Sequence, residues 1–361
     1  MIGHTITNYS FAFLMSFLIS VGATLFVRKV AVRFNILDYP DNARKLHASA
    51  IPLMGGLAIF ISLFIALAFF IFFTDIIWTY GYIKSSYIIG IFGASIVLMM
   101  GGFLDDKYRL KPRKQLIFPI LAILIIIFSG IGVNFITNPF GGIFRLDSYQ
   151  WEVLRLGGDS YRLTPMADFF IVLWLLVMMY TTKLLDGLDG LVSGLGMIGS
   201  LIIFFLSVFP PVNQPGTALI ALILSGACTG FFIFNFYPAK IFLGEGGSLF
   251  IGFMLGVLAI IAGGKIATTL LIVGLPLVDV VLVMARRLFI EHKSIAHADR
   301  THFHFKLLDM GMSQRQTVVI FLLLAATFGF SALFLKTVGK VISFGLLSLV
   351  LVVIISKAHR S

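Results

Sequence analysis

Eleven apolar runs of 16–24 residues divide the chain, near 9–27, 53–73, 87–103, 116–135, 167–182, 191–209, 217–237, 248–263, 266–289, 316–335 and 341–356. Each is about long enough to cross the roughly 30 Å hydrocarbon core of a bilayer as a helix. Inside that solvent every backbone N–H and C=O must be paired within the protein, which leaves helices or a closed barrel as spanning solutions. The runs are continuous rather than alternating, which favours helices. A chain of 361 residues that is 59% hydrophobic and 12% charged lies outside the range of soluble domains of that size. The expected fold is an all-α polytopic membrane protein of about 10–11 transmembrane helices, a single transmembrane domain over residues 1–361.

Charge sets the expected orientation. The first run has no basic segment before it and is followed by Arg28, Lys29 and Arg33, which reads as a retained helix with its N-terminus outside. The segments that then fall inside (28–52, 104–115, 183–190, 238–247, 285–315 and 357–361) hold 20 Lys and Arg against 7 elsewhere. The net charge of +11 therefore belongs to cytoplasmic loops facing anionic headgroups rather than to nucleic-acid binding. A lone cysteine, Cys228, excludes a disulfide framework and a Cys-based metal site. The longest outer loop, 136–166, alternates and turns at Gly157-Gly158, the pattern of a small extracytoplasmic β-hairpin.

The polar residues gather at inner helix ends. Lys183-Leu184-Leu185-Asp186-Gly187-Leu188-Asp189-Gly190 joins two apolar runs, and on a helix its i,i+3 spacing would put both carboxylates on one face. One such stretch alone reads as a charged turn; its repetition at other inner ends points to a shared polar site. Asp105-Asp106 repel one another unless they share a cation, and Lys107, Arg109, Lys111, Arg113 and Lys114 beyond them attract phosphates. Arg44, Lys45 and His47 before Pro52 and Gly55-Gly56 either obey the positive-inside bias or form an anion site. Gly244-Glu245-Gly246-Gly247-Ser248 fits a phosphate cradle of backbone N–H groups. In Asp299-Arg300-Thr301-His302-Phe303-His304 the short spacing and absence of cysteine suit phosphate better than zinc. Asp279, inside an apolar run, is either a functional acid or an anchor for Arg286 or a neighbouring helix. Lys183 either snorkels to water or pairs with Asp186 or a diphosphate oxygen.

Carboxylates suited to a hard divalent cation, cations suited to phosphate and a membrane location together point to phosphoryl transfer involving a lipid. In this order the motifs Arg44-Lys45-x-His47…Pro52-x-x-Gly55-Gly56, Asp105-Asp106, Asp186-Gly187-x-Asp189-Gly190-Leu191, Gly244-Glu245-x-Gly247-Ser248 and Asp299-Arg300-x-His302-x-His304 resemble the polyprenyl-phosphate N-acetylhexosamine-1-phosphate transferases. The resemblance covers about residues 10–335, and the last motif is more similar to the UDP-GlcNAc-using branch than to the muramoyl-pentapeptide branch.

It implies a bacterial inner-membrane enzyme with a cytoplasmic active site. Such an enzyme moves a sugar-1-phosphate from a UDP-N-acetylhexosamine to undecaprenyl phosphate, releases UMP and initiates a cell-envelope polysaccharide. By the resemblance Asp105, Asp106, Asp186, Asp189 and His302 are catalytic. Asp106, Asp186, Asp189 and Glu245 hold Mg2+, with Mn2+ as the alternative ion. Arg44, Lys45, His47, Lys111, Lys114, Lys183, Gly244, Gly247, Ser248, Arg300 and His304 bind substrates. A homodimer is an assembly the chain allows. The departures are Glu245 for Asp, Lys183 and Tyr180 for Asn, Phe305 for His, and Gln115 for Lys. Two alternatives are a non-catalytic lipid-phosphate binder and a transporter; the latter favours ionisable groups near mid-membrane rather than at inner helix ends.

Overall fold

The computed structural model describes residues 2–40, 49–138, 141–156, 159–210, 212–263, 266–287, 289 and 303–358. Helix α1 (Ile2–Arg33) leads through the short antiparallel pair β1 (Leu37–Asp38) and β2 (Ile51–Pro52) to α2 (Gly55–Phe73) and α3 (Ser85–Tyr108). The single turn α4 (Pro112–Gln115) and α5 (Ile117–Phe128) follow. Two hairpins, β3 (Phe135–Thr137) with β4 (Ile143–Arg145) and β5 (Trp151–Leu156) with β6 (Asp159–Leu163), precede α6 (Pro165–Leu185). Helices α7 (Leu191–Val208), α8 (Pro215–Asn235) and α9 (Glu245–Ile261) complete the inner bundle. The rest comprises α10 (Ile266–Ile272), α11 (Gly274–Arg286), α12 (Phe303–Asp309), α13 (Gln314–Phe334) and α14 (Thr337–Ala358).

The protein is a helical, multi-pass membrane fold, and every apolar run falls on helix. Among the described residues seven helices, α1, α2, α3, α6, α7, α8 and α13, are long and apolar enough to span on their own. Helix α14, with 22 residues, carries the run 341–356, and the other runs lie on shorter or broken helices. Helix α5 has 12 residues and α9 has 17. The run 266–289 splits into α10 and α11 with an 80° bend, where Gly274 and Pro276 interrupt the helix. The segment between α5 and α6 carries the expected hairpin, β5–β6, and also a second one, β3–β4.

Helix α9 is the centre of the bundle. Every residue from Gly246 to Ile260 is buried, as befits a helix apolar all round, and α2, α3, α6 and α7 pack against it. Trp174 Nε1 donates to the Gly256 carbonyl at 3.0 Å, and Thr182 Oγ1 to the Ser248 carbonyl at 2.8 Å, tying α6 along its length. At the N-terminal end of α9, glycines bring backbones into direct contact. The Gly247 Cα lies where a Cβ on Gly56 would sit, and the Gly246 Cα where one on Gly102 would sit. Only glycine permits that approach. The N–H groups of Gly55 and Gly56 donate to the Phe242 and Leu243 carbonyls at 2.9 and 2.8 Å, locking the start of α2 to the α8–α9 loop.

The close approach generates a test. Gly56→Val and Gly102→Val should each destabilise detergent-solubilised protein by about 1–3 kcal/mol, the usual range for overpacking. Gly22→Ala, where nothing lies within 4 Å, should leave melting unchanged or raise it. Equal melting temperatures for all three variants would contradict the packing described.

Candidate active site

The helices alternate in direction, so the C-termini of α3, α6 and α8 meet the N-termini of α2, α7 and α9 at one end of the bundle. They surround a cavity of about 740 Å³, within the size range of small-molecule sites. Asp105, Asp106, Lys183, Asp186, Asp189, Gly244, Glu245 and Ser248 all line it, together with Asp38, Arg109, Gln115, Asn235, Phe305 and Gln314. Residues as far apart in sequence as Asp38 and Gln314 therefore share one polar chamber at the bundle's end.

Each carboxylate has a different environment. Asp105, at the end of α3, accepts from the Leu110 N–H at 2.8 Å and from Gln115 Nε2 at 3.0 Å through the same oxygen. Asp106 Oδ1 accepts the Glu245 N–H at 3.0 Å. A carboxylate from α3 thus caps the N-terminus of α9, where the helix dipole favours negative charge. Gly244, the residue before α9, has φ +77°, and a Cβ there would fall 2.5 Å from Asp106 Oδ2. Glycine is required for the cap to close.

Asp186 and Asp189 are not on a continuous helix. Helix α6 ends at Leu185, Asp186 has ψ 47°, and Gly190 turns the chain with φ +86° before α7 begins. The i,i+3 helical face expected between them is absent because this Gly-containing turn intervenes, yet both side chains still reach the cavity. Asp189 Oδ2 accepts the Ala239 N–H at 3.0 Å. The Asp186 carboxylate receives no hydrogen bond from any described residue. The residue is exposed to the cavity, and protein crowds its carboxyl from behind. That crowding strips water from the charged form and, reinforced by the charges of Glu245, Asp106 and Asp189, pushes its carboxyl well above the ordinary Asp range.

Of the readings open to Lys183, pairing with Asp186 is not what the structure shows. Its Nζ lies 2.9 Å from Glu245 Oε2, 3.0 Å from Gln115 Oε1 and 3.9 Å from Asp105 Oδ2. The helix breaks between 183 and 186, so Lys183 leaves α6 toward α3 and α9 instead.

The phosphate cradle expected of the Gly244–Ser248 backbone is already filled by the protein itself. The Glu245 N–H is engaged by Asp106, Gly246 and Gly247 are pressed against Gly102 and Gly56, and Ser248 Oγ turns back to the Glu245 carbonyl at 3.1 Å. Gly247 is a packing residue here, not a cavity wall. Lys111 and Lys114 are exposed and lie outside the cavity lining, Lys111 preceding α4 as its N-cap. Arg44, Lys45, His47, Arg300 and His302, and the side chain of His304, lie outside the described residues. Asp279 resolves toward the anchoring reading: buried, it accepts the Phe303 N–H at 2.8 Å and holds the start of α12.

Two contributors were not singled out as site residues in the sequence. Asn235 ends α8, accepts from the Gly190 N–H at 3.2 Å and from Ser193 Oγ at 2.7 Å, and donates to the Ile241 carbonyl at 3.1 Å. It staples the Asp186–Gly190 turn to the α8–α9 loop, and a lone amide ending an apolar run was its only signal. Gln115, read only as a missing lysine, bridges Asp105 and Lys183.

Comparison with known proteins decides the family. A profile described as glycosyl transferase family 4 matches residues 88–263. Over 336 residues the chain is 31% identical to a probable undecaprenyl-phosphate N-acetylglucosaminyl 1-phosphate transferase of Bacillus subtilis (strain 168), covering 90% of this chain and 84% of that protein. The chain belongs to glycosyl transferase family 4. Other relatives in the family include a decaprenyl-phosphate N-acetylglucosaminephosphotransferase of Mycobacterium tuberculosis (strain H37Rv), 30% identical over 344 residues, 87% of this chain and 79% of that protein. An undecaprenyl-phosphate alpha-N-acetylglucosaminyl 1-phosphate transferase of Escherichia coli O157:H7 is 29% identical over 321 residues, 86% and 79% of the two chains. These are the proteins toward which the five motifs pointed, and the profile match spans the Asp105-Asp106, Asp186/Asp189 and Glu245 stretches.

The raised carboxyl of Asp186 makes a signed prediction. A carboxyl raised on folding adds stability at acid pH, and that contribution is lost as pH rises from the ordinary Asp value through the folded one. Without divalent ions, wild-type melting should therefore fall relative to Asp186→Asn as pH rises from about 4. Parallel melting curves for the two proteins would contradict the assigned environment.

Proposed function

We propose that this family member transfers N-acetylglucosamine-1-phosphate from UDP-GlcNAc to a polyprenyl phosphate, undecaprenyl phosphate in the first instance, and releases UMP. The observation that carries the reading is the cavity itself. It brings six carboxylates, Asp38, Asp105, Asp106, Asp186, Asp189 and Glu245, and a lysine to one end of a membrane bundle, where a soluble nucleotide sugar and a lipid headgroup can meet. The printed names of the relatives describe the same kind of transfer.

In this reaction an oxygen of the lipid phosphate forms a bond to the sugar-bearing phosphorus of the nucleotide sugar. The bond from that phosphorus to its bridging oxygen breaks, and UMP leaves with the electron pair. A phosphate monoester has a second pKa near 6 and is already largely ionised at neutral pH. Asp105 and Asp106 accordingly serve position more than proton removal, consistent with carboxylates held by backbone N–H groups. Lys183 supplies positive charge beside the reacting phosphates, and Arg109 on the cavity wall a second cation.

The donor set suits magnesium, a hard ion that takes one or two carboxylates and completes its shell with substrate phosphates and water. Among the described residues no three His, Cys, Asp or Glu side chains are grouped so as to hold a metal ion by themselves, so substrate oxygens and water would have to complete its shell. Asp186, with no hydrogen bond from a described residue, is the leading ligand, with Asp189, Asp106 and Glu245 around it. When bound, such an ion would neutralise the diphosphate and its leaving oxygen. The distribution of 20 inner against 7 outer Lys and Arg supports placing this end of the bundle in the cytoplasm, with the N-terminus outside.

Purified membranes test the reading. Inside-out vesicles given undecaprenyl phosphate, a UDP-sugar and Mg2+ should release UMP with UDP-GlcNAc, and sealed right-side-out vesicles should not. Asp186→Asn and Asp189→Asn should each lower turnover by about a hundredfold or more, the scale of losing one charge-stabilising group. No UMP release with any UDP-sugar, or near wild-type turnover in the double variant, would refute it.

A further inference from the structure

Gln115 and Lys183 lie 68 residues apart and meet in the cavity wall. Gln115 has two N–H donors and one carbonyl acceptor, and the structure uses all three. Nε2 donates to Asp105 Oδ1 and to the Leu110 carbonyl, each at 3.0 Å, and Oε1 accepts from Lys183 Nζ at 3.0 Å. Only one orientation of the amide satisfies this set, since the flipped amide would set oxygen against Asp105 and against a carbonyl. On its other sides the same ammonium faces Glu245 Oε2 at 2.9 Å and Asp105 Oδ2 at 3.9 Å, with the Tyr180 ring centroid 5.9 Å away. One positive charge is thereby clamped between carboxylates of α3 and α9, and the Lys183 side chain is only 15% exposed.

We infer that Gln115 is a positioning residue that seats the Lys183 ammonium between Asp105 and Glu245, and that the 115/183 pair is a single cation seat whose charge can be supplied from either side. The inference rests on the transferase reading for its activity measurement, but not for its geometry. The reasoning is electrostatic. Glu245 and Asp105 both face the seat, so an empty seat leaves neighbouring carboxylates unscreened in a partly buried wall. A doubly charged seat sets two ammonium groups side by side, a like-charge contact. A lysine at 115 would carry its charge to the oxygen of Asp105 that Gln115 Nε2 now touches. An amide at 183 would present its carbonyl to that lysine and its N–H toward Glu245. The reversed pair keeps one positive charge, one amide and the same two carboxylates.

The experiment is a charge-relocation cycle in the full chain: Gln115→Lys, Lys183→Gln and the double variant, each measured for melting temperature in detergent and for kcat and KM. Each single variant should lower kcat by about tenfold or more, within the range expected for coupled groups in contact. The double variant should recover most of that loss and restore the melting temperature, with KM for the lipid little changed. Strictly additive losses in the double variant would overturn the shared seat. Recovery of melting without recovery of kcat would reduce Gln115 and Lys183 to a structural clamp and overturn the positioning role. If the wild type released no UMP with any donor, the transferase reading would fall, while the melting cycle would still decide whether the seat is shared.

Discussion

The Asp106 carboxylate and the Glu245 N–H meet because two helices approach α9 more closely than side chains would allow. Gly102 in α3, Gly56 in α2 and Gly246 and Gly247 in α9 remove the β-carbons that would hold those backbones apart. Once they touch, the first turn of α9 is dry on two sides, and its N–H groups need an internal acceptor. Asp106 supplies one at 3.0 Å. From that contact the rest of the chamber follows. Glu245 is turned toward Lys183, Lys183 toward Gln115, and Gln115 back to the aspartate beside Asp106. The polar wall is a closed circuit of hydrogen bonds and ion pairs rather than a collection of loose charges.

That circuit explains how so many ionisable groups can sit at the end of an apolar bundle. An isolated buried carboxylate is costly unless it is hydrogen-bonded or paired. Asp105, Asp106 and Asp189 each accept a backbone N–H, and Glu245 has an ammonium at 2.9 Å. Asp186 stands apart, with no described donor and three other carboxylates acting on it. Glu245 Oε2 has that ion pair but no hydrogen bond, so Asp186 and Glu245 are the carboxylates left open toward what the site binds. The proposed cation is assigned to Asp186 for this reason, with Glu245 beside it.

The parts legible in the sequence were those written locally. Long apolar runs disclose helices wherever they pack, and the carboxylate pairs at 105–106 and 186–189 announce a polar end to those helices. What was not legible depended on long-range geometry or on ambiguous residue types. A glycine-rich helix start reads equally as an anion cradle or as a surface for close packing; the structure uses Gly246 and Gly247 for packing. The 183–186 spacing implied a common helix face, and the turn built on Asp186 and Gly190 sent Lys183 elsewhere. Gln115 and Lys183 looked like two unrelated departures from the family pattern, and only the fold shows that they touch. The run 266–289 was a single span by composition, and Gly274 and Pro276 divide it.

The central claim is that the chamber binds a divalent ion through Asp186 together with the nucleotide diphosphate. Electron paramagnetic resonance of Mn2+ titrated into the purified protein measures this directly. With UDP-GlcNAc present, one saturable Mn2+ site per chain is predicted, lost in Asp186→Asn and retained in Gly22→Ala. Mn2+ binding that is indifferent to Asp186, or absent with nucleotide present, would contradict the account.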